Sequence, residues 1–290
     1  MQTMPWPELE PAFTSLVCAR PGPVVFASPH SGRCYPRAFQ AMSRLDGPAL
    51  RASEDAFVDE LFGSAARHGA ALICARFARA MVDANRDPAE LDPAMYDTPL
   101  PPAALRNSAR VRAGLGVIPR LVAAHAPIYA GTISFDEAVL RLHHLHAPYH
   151  DALLKLLRRC RRRFGFSVLI DCHSMPSAGT TPGPAGAPDF VLGDDHGRSC
   201  RSGLTTLVEQ TLSQMGYNVA RNMPYAGGYS TVRYGQVSQG MQALQIEINR
   251  ALYMDEASLE KTAGFARLRK NLGTLCKSIC TYADEAALPQ

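Results

Sequence analysis

The sequence predicts an α/β fold: a single three-layer domain built on a mainly parallel sheet flanked by helices. Three observations predict it. Short apolar runs alternate with longer amphipathic stretches, several of those runs end in clustered polar residues, and no Pro/Gly/Ser-rich linker divides the 290 residues. Hydrophobic residues at 47% against 19% charged supply a sizeable core and exclude a disordered chain. A net charge of +4 is too weak to argue for a nucleic-acid partner. No run approaches the roughly 18 apolar residues a membrane span requires. Eight cysteines without disulfide-like spacing, and no basic and apolar leader after Met1, lead us to expect a reducing, cytoplasmic setting.

In chain order, residues 1–22 carry several prolines and little periodicity, and are expected to form an arm ahead of a domain spanning 23–290. Val24-Val-Phe-Ala27 is a short strand ending in Ser28, His30 and Ser31, with Gly32 permitting a sharp turn. Ser53 is the expected N-cap of a helix through Phe62, with Phe57, Val58, Leu61 and Phe62 inward. Ala71–Ala75 and residues 80–84 are expected as strands, the second running into Asn85-Arg86 before Pro88 stops regular structure. Residues 88–131 are too rich in proline and glycine for a simple connection, and are expected to cover or serve a site.

A long amphipathic helix is expected from Ser134 to about Arg163, interrupted near Pro148 and bearing His143, His144, His146 and His150. Those histidines are irregularly spaced with no regular Cys or acid beside them, so they are read as a helix face rather than a metal site. The basic cluster Arg158 to Arg163 suits a solvated helix end, where cations favour the dipole. A strand from Phe166 follows, then a Gly/Pro/Thr loop over residues 176–188, a strand at 189–193, a helix over 201–215 and a strand at 217–220. Residues 224–235 form a glycine- and tyrosine-rich loop carrying Arg233. Ala243-Leu-Gln-Ile-Glu-Ile-Asn249 alternates, so Gln245, Glu247 and Asn249 share one face. A closing helix spans residues 258–283.

The chemistry is expected at the strand ends, where open α/β sheets keep it. Phe166 to Ile170 delivers Asp171, Cys172, His173 and Ser174, and period-2 alternation puts Asp171 and His173 on one face. His30 is a second strand-end histidine, and Glu247 a further strand-borne acid. Two histidines and acids fit zinc hydrolysis, since a catalytic zinc takes three protein ligands and keeps one position open. Each residue also has a plainer reading as a strand-end hydrogen bonder. Asp171 in particular reads as a carboxylate behind a histidine ligand. Cys34 and Cys172 read as small buried apolar residues, and neither Ser31 nor Ser174 lies in a Gly-x-Ser-x-Gly elbow.

Several blocks, in order over roughly residues 24–256, together resemble the N-formylglutamate amidohydrolase family. They are Ser28-Pro-His-Ser-Gly32, Glu54-Asp-Ala-Phe-Val-Asp59, Arg79 with Val82-Asp-Ala-Asn-Arg-Asp87, Asp171-Cys-His-Ser174, Gly227-Gly-Tyr229 through Arg233, and Gln245-Ile-Glu-Ile-Asn249. The resemblance implies a fold similar to zinc carboxypeptidases and a Zn²⁺-dependent enzyme of histidine breakdown that releases formate from N-formyl-L-glutamate. It implies His30, Asp55 and His173 as zinc ligands and Glu247 as general base. Arg79 would polarise the scissile carbonyl, and Asn85 with Arg86 would grip the substrate α-carboxylate. Arg233 is left for a side-chain carboxylate, with Tyr229 beside it at the substrate. The acidic ligand stands as Glu54 or Asp55, with Asp55 preferred because the family block matches there, although helical phasing centres Glu54 on the apolar face. The expected partner is a small N-acyl amino acid. A related deacylase with another acyl group, or a non-enzymatic binding protein of the same fold, are the alternatives.

Overall fold

The computed structural model describes residues 4–104, 107–122, 126–179 and 186–287. Its main sheet has seven strands: β1 (Phe13–Val17), β2 (Val24–Ser28), β3 (Ala71–Ala75), β4 (Ser167–Met175), β5 (Phe190–Gly193), β6 (Val219–Arg221) and β7 (Met241–Asn249). They lie in the order β1-β3-β2-β4-β7-β5-β6. β2 pairs parallel with β4, β4 with β7, and β5 with β6, while β5 runs antiparallel to β7, so the sheet is mixed and mainly parallel. β4 is buried over all nine residues, which is why Val168-Leu-Ile170 reads as a continuous apolar run. Register places His173 of β4 beside Glu247 of β7.

The chain folds as two compact units. One holds residues 15–28, 55–73 and 153–290, and with them nearly all of the sheet. Its core is built from Val168, Leu169 and Ile170, Leu244, Ile246 and Ile248, and the inward face of the closing helix Gly264–Ala286, where Leu268, Leu272, Leu275 and Ile279 are buried. The other unit, residues 1–14, 29–54 and 74–152, has little sheet. It contains the short helices Arg37–Met42 and Gly47–Arg51, the antiparallel pair Leu121–Val122 with Ala126–Pro127, and a helix α1 (Phe135–Arg141) capped by Ser134, whose hydroxyl accepts from the Glu137 N–H.

The structure departs from the sequence-based expectation at several elements. Phe13–Val17, inside the expected arm, forms the exposed edge strand β1. Residues 80–84 make no strand. Their backbone curls instead, with Met81 and Val82 N–H groups on the Ala78 carbonyl and the Arg86 N–H on that of Asp83. The expected helix from Ser53 shrinks to Val58–Leu61, because Phe57 ahead of it is left-handed at φ 65°, so Ser53 caps nothing. The long histidine-bearing helix is not broken at Pro148. A π turn, Leu142–His146, joins α1 to α2 (Ala147–Phe164), and this widened turn absorbs the proline's missing N–H just before it would be needed. Within 88–131 the described residues form short turns such as Pro93–Met95 and Ala109–Arg112. Residues 105–106 and 123–125 of that stretch, and 180–185 of the 176–188 loop, lie outside the described residues.

Candidate active site

β4 carries the acid–histidine pair the alternation predicts. Asp171 and His173 are both buried, with His173 Nε2 3.0 Å from Asp171 Oδ2. His173 Nδ1 lies 3.0 Å from Asp55 Oδ2. Asp55 stands in irregular backbone just before Val58–Leu61, free of the helical phasing that would have favoured Glu54. Its other oxygen accepts from Arg250 Nη2 at 3.1 Å, and Arg250 Nε in turn donates to Ser174 Oγ. Glu54 is engaged elsewhere: it accepts from the Tyr35 hydroxyl at 2.7 Å and from Arg51. On β7 the alternating polar face is buried, and it is satisfied rather than stranded. Gln245 donates to Glu247 Oε1 at 2.9 Å and accepts from the Gly228 N–H, so the glycine loop is tied to the acid through one amide.

Burial alone would lower the His173 pKa. The charge of Asp171, hydrogen bonds to Asp171 and Asp55, and the charge of Glu247 outweigh it and hold the imidazole well above its ordinary 6.5.

His30 follows β2 by two residues, and Gly32 lets the chain turn there. A Cβ on Gly32 would meet the Phe77 carbonyl oxygen at 2.1 Å, so only glycine fits where Cys34 N–H reaches the Arg76 carbonyl. Asp83 is a hub in the curled stretch. It accepts from His30 Nε2 at 2.7 Å, Arg79 Nε at 3.0 Å and the Asn85 N–H at 2.8 Å, with Arg86 Nε 3.8 Å away. Although burial raises its pKa, Arg79, Arg86 and His30 together hold the Asp83 carboxyl well below 3.8. Arg86 is itself buried, with Nε on the Leu115 carbonyl and Nη1 on that of Asn85.

Among the described residues, one group of histidine, cysteine and acidic side chains can hold a metal ion: His30, Asp55 and His173, all buried, with one ligand atom from each within 4.8 Å of the others. Two imidazoles and a carboxylate suit zinc. The surroundings fit as well. Nε2 of His30 meets Asp83 and Nε2 of His173 meets Asp171, so a metal would take Nδ1 of each, the arrangement that fixes tautomer and raises ligand basicity. The α1–α2 histidines take no part in this group.

Tyr229 opens a short helix, Tyr229–Tyr234, rather than lying in a loop. Arg233 sits one turn later, exposed, its guanidinium donating to the Tyr229 hydroxyl and stacked over the rings of Tyr229 and Tyr234 at 5.4 and 5.7 Å. Arg250 and Gln245 belong to the site although sequence reasoning names neither as a site residue, and Asp83 enters it only as part of a block. The only signal for Arg250 is its position directly after the alternating strand.

Residues 22–254 match the sequence family described as N-formylglutamate amidohydrolase. The N-formylglutamate deformylase of Pseudomonas aeruginosa is 30% identical over 237 residues, covering 81% of this chain and 83% of that protein. That of Pseudomonas putida is 27% identical over 237 residues, covering 81% and 82%. The crystal structure of N-formylglutamate amidohydrolase from Ralstonia eutropha JMP134 superposes with a TM-score of 0.90 at 36% identity, covering 94% of this chain and 99% of that one. No helix among the described residues is long and apolar enough to cross a membrane.

Proposed function

The chain belongs to the N-formylglutamate amidohydrolase family, and from that premise we propose that it is a zinc-dependent amidohydrolase cleaving N-formyl-L-glutamate to formate and L-glutamate. The observation that carries the metal is the buried His30, Asp55 and His173 group with a carboxylate behind each histidine. Zinc held there would supply Lewis acidity, polarising the formyl oxygen and acidifying a water.

The chain's own residues do the rest. Glu247, neighbour of His173 across the ladder, is oriented by the Gln245 amide to take a proton from the attacking water and pass it to the leaving nitrogen. Arg79, anchored through Nε on Asp83, offers its guanidinium to the oxyanion that develops on the formyl group. Asn85 and Arg86 hold the α-carboxylate, a planar fork matching a planar anion. Arg233, with Tyr229 beside it, meets the side-chain carboxylate and sets the preference for a dicarboxylate.

The test is metal analysis of the purified protein beside a formate-release assay on N-formylglutamate, N-formylglutamine and N-acetylglutamate. About one zinc per chain, formate from N-formylglutamate, and a preference over N-formylglutamine that Arg233→Ala erases are expected. Full activity after exhaustive chelation would overturn the metal assignment. An Arg233→Ala ratio equal to that of the unmodified protein would leave Arg233 with only a packing role in the helix Tyr229–Tyr234.

A further inference from the structure

The segment that presents Arg79, Asp83, Asn85 and Arg86 is irregular, so no strand ladder satisfies its carbonyls and each must find a partner elsewhere. Three are met from one helical run. Arg141 Nη1 donates to the Met81 carbonyl at 3.3 Å, His150 Nε2 lies 2.8 Å from that of Ala84, and His146 Nε2 lies 3.0 Å from that of Arg86. A carbonyl only accepts, so both imidazoles carry a proton on Nε2. The three donors are 0%, 4% and 4% exposed, the burial expected of groups that act on the protein rather than on solvent.

Their spacing is five residues and then four. In an α-helix five residues advance about 500°, leaving the second donor roughly 140° off the face of the first. The π turn Leu142–His146 falls between those two donors. It closes through the Ala147 N–H on the Leu142 carbonyl, takes up the additional residue and returns His146 to the face of Arg141. His150 then follows His146 at the ordinary i, i+4 spacing.

We propose that this π turn and its donors Arg141, His146 and His150 are a positioning device for the substrate-carboxylate grip. The proposal rests on the reading of Asn85 and Arg86 given above. Tying the carbonyls of Ala84 and Arg86 pins the backbone on both sides of Asn85, so the two gripping side chains are aimed by a fixed main chain. Arg86 commits Nη1 to the Asn85 carbonyl and Nε to that of Leu115, which leaves Nη2 to face a ligand only while that backbone stays in place. The histidines touch neither substrate nor metal in this scheme, and act through Asn85 and Arg86.

The experiment measures kcat and KM for N-formylglutamate and for its α-amide analogue in the unmodified enzyme and in His146→Leu, His150→Leu and His146→Gln. Leucine removes the donor, whereas glutamine returns an amide N–H near the Nε2 position. Expected are a KM for the diacid raised on the order of ten-fold in both leucine variants, with kcat changed much less, little change for the α-amide, and recovery in His146→Gln. If a leucine variant does not fold, His146→Gln against the shorter His146→Asn carries the same contrast. Parallel changes for both compounds, or none, would overturn the proposal and leave the histidines as ordinary packing. An unmodified enzyme indifferent to the α-carboxylate would instead overturn the grip itself, an outcome visible before any histidine is changed.

Discussion

At the residue scale, what each acid does follows from its partners rather than its type. Asp55, Asp83, Asp171 and Glu247 are all buried, yet Asp83 and Asp171 each back a histidine, Asp55 bridges His173 and Arg250 with its two oxygens, and Glu247 accepts from the Gln245 amide. Replacing Glu247 by Gln preserves size and should leave metal content unchanged while lowering kcat by roughly 10²–10⁴-fold. Near-normal turnover in that protein, measured by formate release, would hand the role to another residue. The strand-end histidines are legible in the sequence, because apolar runs that stop in polar residues announce themselves. Asp83 and Arg250 are not, because a hub shows itself only when several donors converge in space.

At the scale of elements, the segments that carry the proposed site residues Arg79, Asn85, Arg86 and Asp55 are those where local propensity lost. Residues 80–84 look like a strand, yet the charges of Arg79 and Arg86 converging on Asp83 favour a curled backbone over a ladder. Ser53 looks like a cap, but the left-handed Phe57 delays the helix and leaves Asp55 in irregular chain. The end of β2 shows the same economy of space: Gly32 packs against the 76–77 backbone so closely that a single methyl group collides with it. Gly32→Ala should therefore destabilise the protein by about 1–3 kcal/mol through overpacking and displace His30 with it. Thermal melting with a parallel zinc assay checks this, and an alanine protein matching the unmodified one in both would show that the backbone gives way at no cost.

For the whole molecule, the sheet is legible because parallel central strands are apolar throughout and need no long-range knowledge to be read, as β4 illustrates. The edge strand β1 is not, since four of its five residues are exposed and carry no burial pattern. The candidate metal group stands between these cases. His30, Asp55 and His173 are far apart in sequence, so no compact spacing announces them, and the family blocks point to them where periodicity does not. That same separation would make binding of the proposed zinc a matter of global stability. An unfolded chain holds no preformed site from such distant ligands, so the binding free energy accrues to the folded state. At a thousandfold excess over Kd this amounts to about 4 kcal/mol, which for a chain of this size corresponds to a Tm rise on the order of 5–10 °C. Chelated protein should melt correspondingly lower and recover when zinc is restored, whereas His173→Ala should melt at one temperature with or without zinc. Identical melting of the chelated and zinc-restored unmodified protein would mean that these three side chains hold no ion, and that His173 keeps its proton between Asp55 and Asp171.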